Sequence, residues 1–320
     1  MTLLATRTAS AVVGVAALFP LLSLSACTTP TRSFAPIASV SNALVSYTAA
    51  PVEPLSATIL RATRPFTDAR SLDAATSCVV SAGPSAAIRF EADRFLIRIA
   101  QSDLCGTQFA NREAWIAASD VNIADSAYAP SLVRVHETAG LRIAMAYHGD
   151  NIFCDTAARC RILERLYATP RCFANPSVAV VLQRAAQALH ARDTSLTLKV
   201  LDCYRPIYAQ ERMFALVADP KWVAQPKPPR YGGHNRAVAI DLTVERNGVE
   251  LDMGTAFDAF DDKSEWREDG LGITELQQSN RRVLRALMIE SGFRPYDGEW
   301  WHFSLPFTVE TEPKARNAPL

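Results

Sequence analysis

The chain carries no net charge, since 33 Lys and Arg offset 33 Asp and Glu across 320 residues. Nor are its cations gathered into a basic stripe, which argues against nucleic acid as a partner. Neutrality leaves a small zwitterionic substrate fully admissible. No apolar run reaches membrane-spanning length, because Ala11–Leu24 is too short and is interrupted by Pro20. Cysteine never occurs at zinc-knuckle spacing, so a thiolate metal site is disfavoured. No internal repeat is evident. Histidine is scarce, at five residues, so its position beside an acid is informative. With 49% hydrophobic residues, a chain of this length can bury a sizeable core in one or two domains.

The first residues read as an export signal. A lone Arg7 precedes the apolar stretch, and Leu24-Ser25-Ala26-Cys27 follows it. Small residues ahead of a cysteine resemble the bacterial lipobox. That resemblance implies a signal peptide over residues 1–26, lipidation of Cys27 and attachment to a membrane; the alternative is an ordinary secretory signal. Thr28, rather than Asp, then favours the outer membrane of a Gram-negative cell, on the periplasmic side. The remaining cysteines, Cys78, Cys105, Cys154, Cys160, Cys172 and Cys203, are even in number. They fit disulfides in an oxidising compartment. Many connectivities are open, and proximity suggests Cys78–Cys105, Cys154–Cys160 and Cys172–Cys203.

Residues 27–72 are rich in Ser, Thr, Ala and Pro and read as a flexible tether. Residues 73–126 hold short strand candidates at Cys78–Val80, Ala87–Phe90, Phe95–Ile99 and Ala114–Ala117, with a turn signal at Gly83-Pro84-Ser85. Their order, closing on a Trp-containing strand, resembles a small Src-homology-3-like barrel; an unrelated β module fits as well. Residues 127–310 mix α and β, and 311–320 read as a tail. Val178–Ala191 has helical apolar periodicity, Leu196–Leu201 alternates as a strand, and Pro206 opens a helix through Val217. Ala237–Val244 is another strand, Thr274-Glu275-Leu276-Gln277 a capping-box helix start, and Arg294–Leu305 supplies the last strands. The expected class is α+β, with a central, mostly antiparallel sheet flanked by helices behind the β module.

Two segments carry the chemistry: Gly232–Asp241 and Glu299-Trp300-Trp301-His302. They supply His234, Asp241 and His302 as three metal ligands and Glu299 as a free carboxylate. Three protein ligands, an open position and a general base are the minimum for a hydrolytic zinc site. Strand alternation puts Asp241 on one face with Ala237, Ala239 and Thr243, leaving room beside the carboxylate. His234 follows two glycines that permit a sharp turn. Gly298 permits a bend that frees Glu299 from strand alternation with His302. A structural His and packing Trp residues are the bland alternatives; their conjunction with acids favours the metal.

Leu201–Pro206, His234–Asp241, Met253–Asp258 and the block from Asn280 to His302 occur in the order seen in D-alanyl-D-alanine dipeptidases of the vancomycin-resistance type, within the zinc D-Ala-D-Ala peptidase superfamily. The resemblance covers roughly residues 130–310. It implies one zinc ion per chain on His234, Asp241 and His302, with Glu299 as catalytic base. It also implies that Arg205 stabilises the oxyanion, and that Asp202, Asp258 and Tyr147 bind the substrate amine. Two positions depart from the family pattern: Gly232 stands where the family has Ser, and Ala237 where it has Gly. The first removes a hydroxyl near substrate, and the second is expected to narrow the space near the metal.

The expected activity is zinc-dependent hydrolysis of D-Ala-D-Ala, or a similar short D-containing dipeptide, in cell-wall peptidoglycan metabolism. The alternatives are a D,D- or L,D-carboxypeptidase trimming stem peptides, and an inactive wall-binding lipoprotein.

Overall fold

Leu55, Ala57 and Ile59 are buried and the residues between them exposed, the period-two pattern of a half-buried strand, β1 (Leu55–Ile59). It pairs antiparallel with β2 (Gly83–Glu91), and β3 (Arg94–Arg98), β4 (Glu113–Ala117) and β5 (Val121–Asn122) complete a sheet ordered β4-β3-β2-β1-β5. Ala92 and Asp93 close the β2–β3 hairpin with both φ positive, the geometry that matches strand twist in a two-residue turn. The computed structural model describes residues 54–71, 78–99, 112–128, 131–149, 151–154, 160–163, 165–227, 231–308, 311 and 313–320. The signal peptide 1–26, Cys27, the tether up to residue 53 and Cys105 lie outside the described residues. So do the side chains of Cys154 and Cys160.

Two expectations change here. The tether does not extend to residue 72, because β1 pairs with β2 from Leu55 onward. Its Ser and Thr residues obscure a strand whose alternate positions are apolar. Gly83-Pro84-Ser85 opens β2 rather than turning, because Gly83 and Pro84 pair with Ile59 and Thr58.

Downstream, β6 (Val133–Val135) pairs with β10 (Cys172–Ala174), and β8 (Asn151–Cys154) with β9 (Cys160–Leu163). The central sheet contains β7 (Leu141–Ile143), β11 (Leu196–Asp202), β12 (Ala239–Arg246), β13 (Val249–Glu250), β14 (Arg294–Pro295) and β15 (His302–Ser304). Its order is β14-β15-β12-β11-β7, with β13 on β12. Only the β11–β7 pairing in it is parallel. The chain is therefore mixed α+β with mainly antiparallel sheets and, among the described residues, three α-helices.

Each helix start has a local cause, with one exception. In α1 (Pro176–Arg192) Asn175 accepts from the Ser177 N–H and Pro176 sits at the first position, where its missing N–H costs nothing. In α3 (Glu275–Glu290) Thr274 and Gln277 form a reciprocal capping box. The helix α2 (Ile207–Leu216) has Pro206 at its cap and no side-chain cap of its own nearby. Helix α1 packs on β11 and β7 and touches α3. The buried apolar side chains of both sheets form one continuous cluster.

The segment expected as a tail is also revised at its end. Asn317, Ala318, Pro319 and Leu320 are all buried, with their polar groups bonded to interior tyrosines and backbone.

Cys172 and Cys203 are joined, 31 residues apart, and tie β10 to the end of β11. Cys78 is also disulfide-bonded. Closing a loop of this length removes unfolded-state entropy worth about 3–4 kcal/mol. A Cys172→Ala/Cys203→Ala variant should lose roughly that stability in urea denaturation; a loss below about 1 kcal/mol would contradict the cross-link's role.

Candidate metal centre

A register irregularity in β11 sets up the site. Val200 pairs with Leu242, but Asp202 pairs with Asp241, so one extra residue is accommodated in between. A bulge of this kind re-aims side chains. On the other side of β12, Asp241 lies opposite His302 of β15. Asp202, Asp241 and His302 thus form a row across three adjacent strands, where directly opposed residues bring their Cβ atoms to about 5 Å.

His234 reaches this row from the turn before β12. Gly233 is required there, since a Cβ would lie 2.8 Å from the Ala239 side chain and 3.0 Å from Ser304 Oγ. Ala237 closes the turn at φ 57°, donating to the His234 carbonyl and accepting from the Asn175 N–H. It therefore precedes β12 rather than sharing its face. The left-handed conformation costs a non-glycine residue about 1–2 kcal/mol, which gives a backbone reason for the family's glycine. Ala237 is buried and does not line the cavity, so the expected narrowing is replaced by strain in the turn. Gly232 does line the cavity. A Cβ there would make ordinary contacts with Asn235 and Ala224 at 3.7 and 4.0 Å, so the missing Ser leaves free space.

His234 Nε2, Asp241 Oδ1 and His302 Nδ1 form a triangle with edges of 3.2, 2.9 and 3.1 Å. A tetrahedral zinc ion with bonds of about 2.0–2.1 Å separates its ligands by about 3.3 Å, so the donor set fits. The far side of each ring fits too. His234 Nδ1–H donates to the Cys203 carbonyl at 2.7 Å, which leaves Nε2 as the free lone pair. His302 Nε2 lies 3.4 Å from Ser304 Oγ. Orienting partners of this kind fix the tautomer of a metal-bound imidazole.

Burial and neighbouring charges pull these groups in opposite directions. Burial disfavours a charged His234, but Asp241 and Asp202 outweigh it and the net shift is upward. Burial also opposes ionisation of Asp241, yet the two imidazoles hold its carboxyl well below the ordinary range. Glu299 lies in the turn before β15 and not in a strand, with Oε2 3.7 Å from His302 Nδ1. Its burial pushes it up to about 8, His302 opposing and Asp241 and Asp258 adding to the shift.

Arg205 is buried and held by two partners. Its Nε and Nη2 donate to Asp202 Oδ2 at 2.9 and 2.6 Å, and Nη1 to Gln210 Oε1 at 2.7 Å. Nη2 lies 3.7 Å from Asp241 Oδ2, so the fork stands beside the metal ligand. Asp202 Oδ1 accepts from Tyr167 Oη at 2.8 Å. With both oxygens engaged and no exposure, Asp202 stands behind Arg205 and is absent from the cavity wall. Asp258 and Tyr147 do line the cavity, joined by a 2.7 Å hydrogen bond from the tyrosine. Burial raises Asp258 to about 7, Tyr147 opposing the shift. Gln210, Tyr167 and the Cys203 carbonyl complete the arrangement without a sequence motif of their own. Nothing in their spacing signals a role, because each acts through a partner distant in sequence or through its backbone.

The D-ala-D-ala dipeptidase family, Peptidase_M15, matches residues 138–314, more than half of the chain and all of this centre. The chain belongs to that family. It is accordingly a metallopeptidase. Among its relatives, the D-alanyl-D-alanine dipeptidase of Escherichia coli K12 is 32% identical over 142 residues, 44% of this chain and 70% of that protein. That of Enterococcus faecalis V583 is 32% identical over 163 residues, 43% and 76%. A shorter stretch, 74 residues, is 45% identical to the enzyme of Enterococcus faecium, covering 22% and 36%. The N-terminal sheet lies before the family region.

His234→Ala should abolish stoichiometric metal binding by elemental analysis; a full metal complement would remove His234 from the ligand set. Metal must displace protons from the imidazoles. Because His234 is shifted upward, affinity should keep rising with pH beyond the ordinary imidazole range.

Proposed function

We propose that the chain is a zinc-dependent dipeptidase, with one zinc ion per chain, that cleaves D-Ala-D-Ala or a similar short D-containing dipeptide in peptidoglycan metabolism. The observation that carries this reading is Asp258, hydrogen-bonded by Tyr147 and facing the same cavity as His234, Asp241 and His302. A free dipeptide brings an ammonium into that cavity, where an unpaired charge is costly. Asp258 is the acid that receives it. Asp202, committed to Arg205 and Tyr167, contributes by holding the guanidinium instead.

When bound, zinc supplies Lewis-acid activation of water and of the scissile carbonyl. Glu299 takes the proton of the attacking water and returns it to the departing amine. Its upward shift suits the second step. Arg205, held charged by Asp202 against its burial, stabilises the oxyanion of the tetrahedral intermediate. Its fork is already oriented, so little reorganisation is needed as charge develops. A donor of this kind typically contributes ~2.7–4 kcal/mol to the transition state.

The proposal extends to location. The leader resembles a lipoprotein signal, which supports an exported chain anchored through lipid on Cys27, on the periplasmic side and at the outer membrane if the cell is Gram-negative. The Cys172–Cys203 disulfide supports an oxidising compartment. The N-terminal sheet, with its five strands, supports a small wall-associated module of barrel-like kind.

Glu299→Ala should keep its zinc and lose hydrolysis by at least about 10²-fold; normal turnover would refute the base assignment. N-acetylation of the dipeptide should abolish cleavage. Efficient cleavage of the blocked substrate would instead favour a carboxypeptidase acting on stem peptides.

A further inference from the structure

Helix α2 begins with an unmet need. Its first N–H groups have no intrahelical partner, and Pro206 at the cap supplies no side-chain acceptor. The acceptors come from the far end of the chain. The Ile207 N–H donates to the Arg316 carbonyl at 3.2 Å, and the Tyr208 N–H to Asn317 Oδ1 at 2.9 Å, across 109 residues. Asn is among the preferred N-cap side chains; here it acts from outside the helix.

The same short segment grips the residues around Arg205. Tyr204 Oη donates to the Ala318 carbonyl at 2.9 Å and accepts from the Ala318 N–H at 2.8 Å. Leu320 N–H reaches Tyr208 Oη at 3.3 Å. A third set of bonds leads to the His234 turn. The Arg316 N–H donates to the Asn235 carbonyl at 2.8 Å, and Asn235 Nδ2 donates to the Arg205 carbonyl at 2.8 Å. The Arg205 N–H closes the circuit on the His234 carbonyl at 3.1 Å. A fourth contact, Ala168 N–H to the Leu320 carbonyl at 2.8 Å, lies next to Tyr167, which holds Asp202. Tyr128 Oη adds a further bond, to the Pro319 carbonyl at 2.7 Å.

We propose that Arg316–Leu320 is a positioning strap that caps α2 from outside and fixes the Arg205 and His234 segments against each other. Asn317 is its central positioning residue and touches no substrate. The strap lies beyond the family region, which ends at residue 314, and Tyr128 lies before its start at 138. The centre is therefore braced by residues that the family match does not include. The catalytic consequence rests on the reading of Arg205 as the oxyanion-stabilising group.

The test compares the full-length chain with Asn317→Ala and Asn317→Asp by hydrogen exchange and by kinetics on D-Ala-D-Ala. Loss of a cap of ordinary strength should speed exchange of the Tyr208 amide about ten-fold, with Leu182 in α1 and Leu284 in α3 unchanged. In Asn317→Ala kcat should fall with KM and zinc content near parental values. Asn317→Asp, which keeps the acceptor, should restore both readouts. Tyr204→Phe, which removes one oxygen from the grip, should loosen the Ala318 amide in the same local way and serves if Asn317→Ala does not fold. Acceleration spread evenly over all three helices, an unchanged Tyr208 amide, or failure of Asn317→Asp to rescue would overturn the strap. A parental chain inactive on the dipeptide would count against the dipeptidase reading alone, since the exchange pattern judges the strap without it.

Discussion

The bulge between Val200 and Asp202 is the constraint on which the site depends. In unbroken register Asp241 would face Leu201, and no acid would stand where Asp202 now meets the Arg205 fork. With the extra residue, three side chains from β11, β12 and β15 share one row. The row then divides its work. His302 and Asp241 face the metal position, and Asp202 anchors the cation beside them. The disulfide at Cys203 and the Cys203 carbonyl that holds His234 fix the chain immediately after the bulge.

Placing so much charge in a buried site is costly unless every group is paired. Here Asp202 neutralises Arg205, and the imidazoles favour ionised Asp241. Glu299 and Asp258, the acids left with the weakest compensation, are pushed upward to about 8 and about 7. Those two stand in the cavity wall beside His234, Asp241 and His302. Asp202, by contrast, has both oxygens engaged, one by Tyr167 and the other by Arg205.

Much of the centre was legible in the sequence because its motifs are local. His234 and Asp241 lie within one turn and strand, and Glu299 and His302 within another. Asp241 lines the cavity, and its strand neighbours Ile240 and Leu242 are buried apolar residues. Helix α3 was readable from its capping box, and α1 from its apolar period. What escaped was non-local or conformational. Strand β1 hid among Ser and Thr, because its pairing with β2 and not its composition makes it a strand. The bulge has no residue signature, so the pairing of Asp202 with Arg205 and Tyr167 is not readable from spacing. Ala237 looked like a steric change near the metal, whereas its positive φ makes it a backbone one. The last residues looked like a tail because their partners, Tyr204, Tyr208 and Asn235, lie more than eighty residues away.

The central claim is that one metal on His234, Asp241 and His302 drives dipeptide hydrolysis. The most direct test is a stoichiometric zinc titration of chelator-stripped protein, following release of D-Ala from D-Ala-D-Ala. Activity should be absent at the start, rise linearly and reach its plateau at one equivalent of zinc per chain. Hydrolysis by the stripped protein, or a plateau that requires two equivalents, would contradict the account.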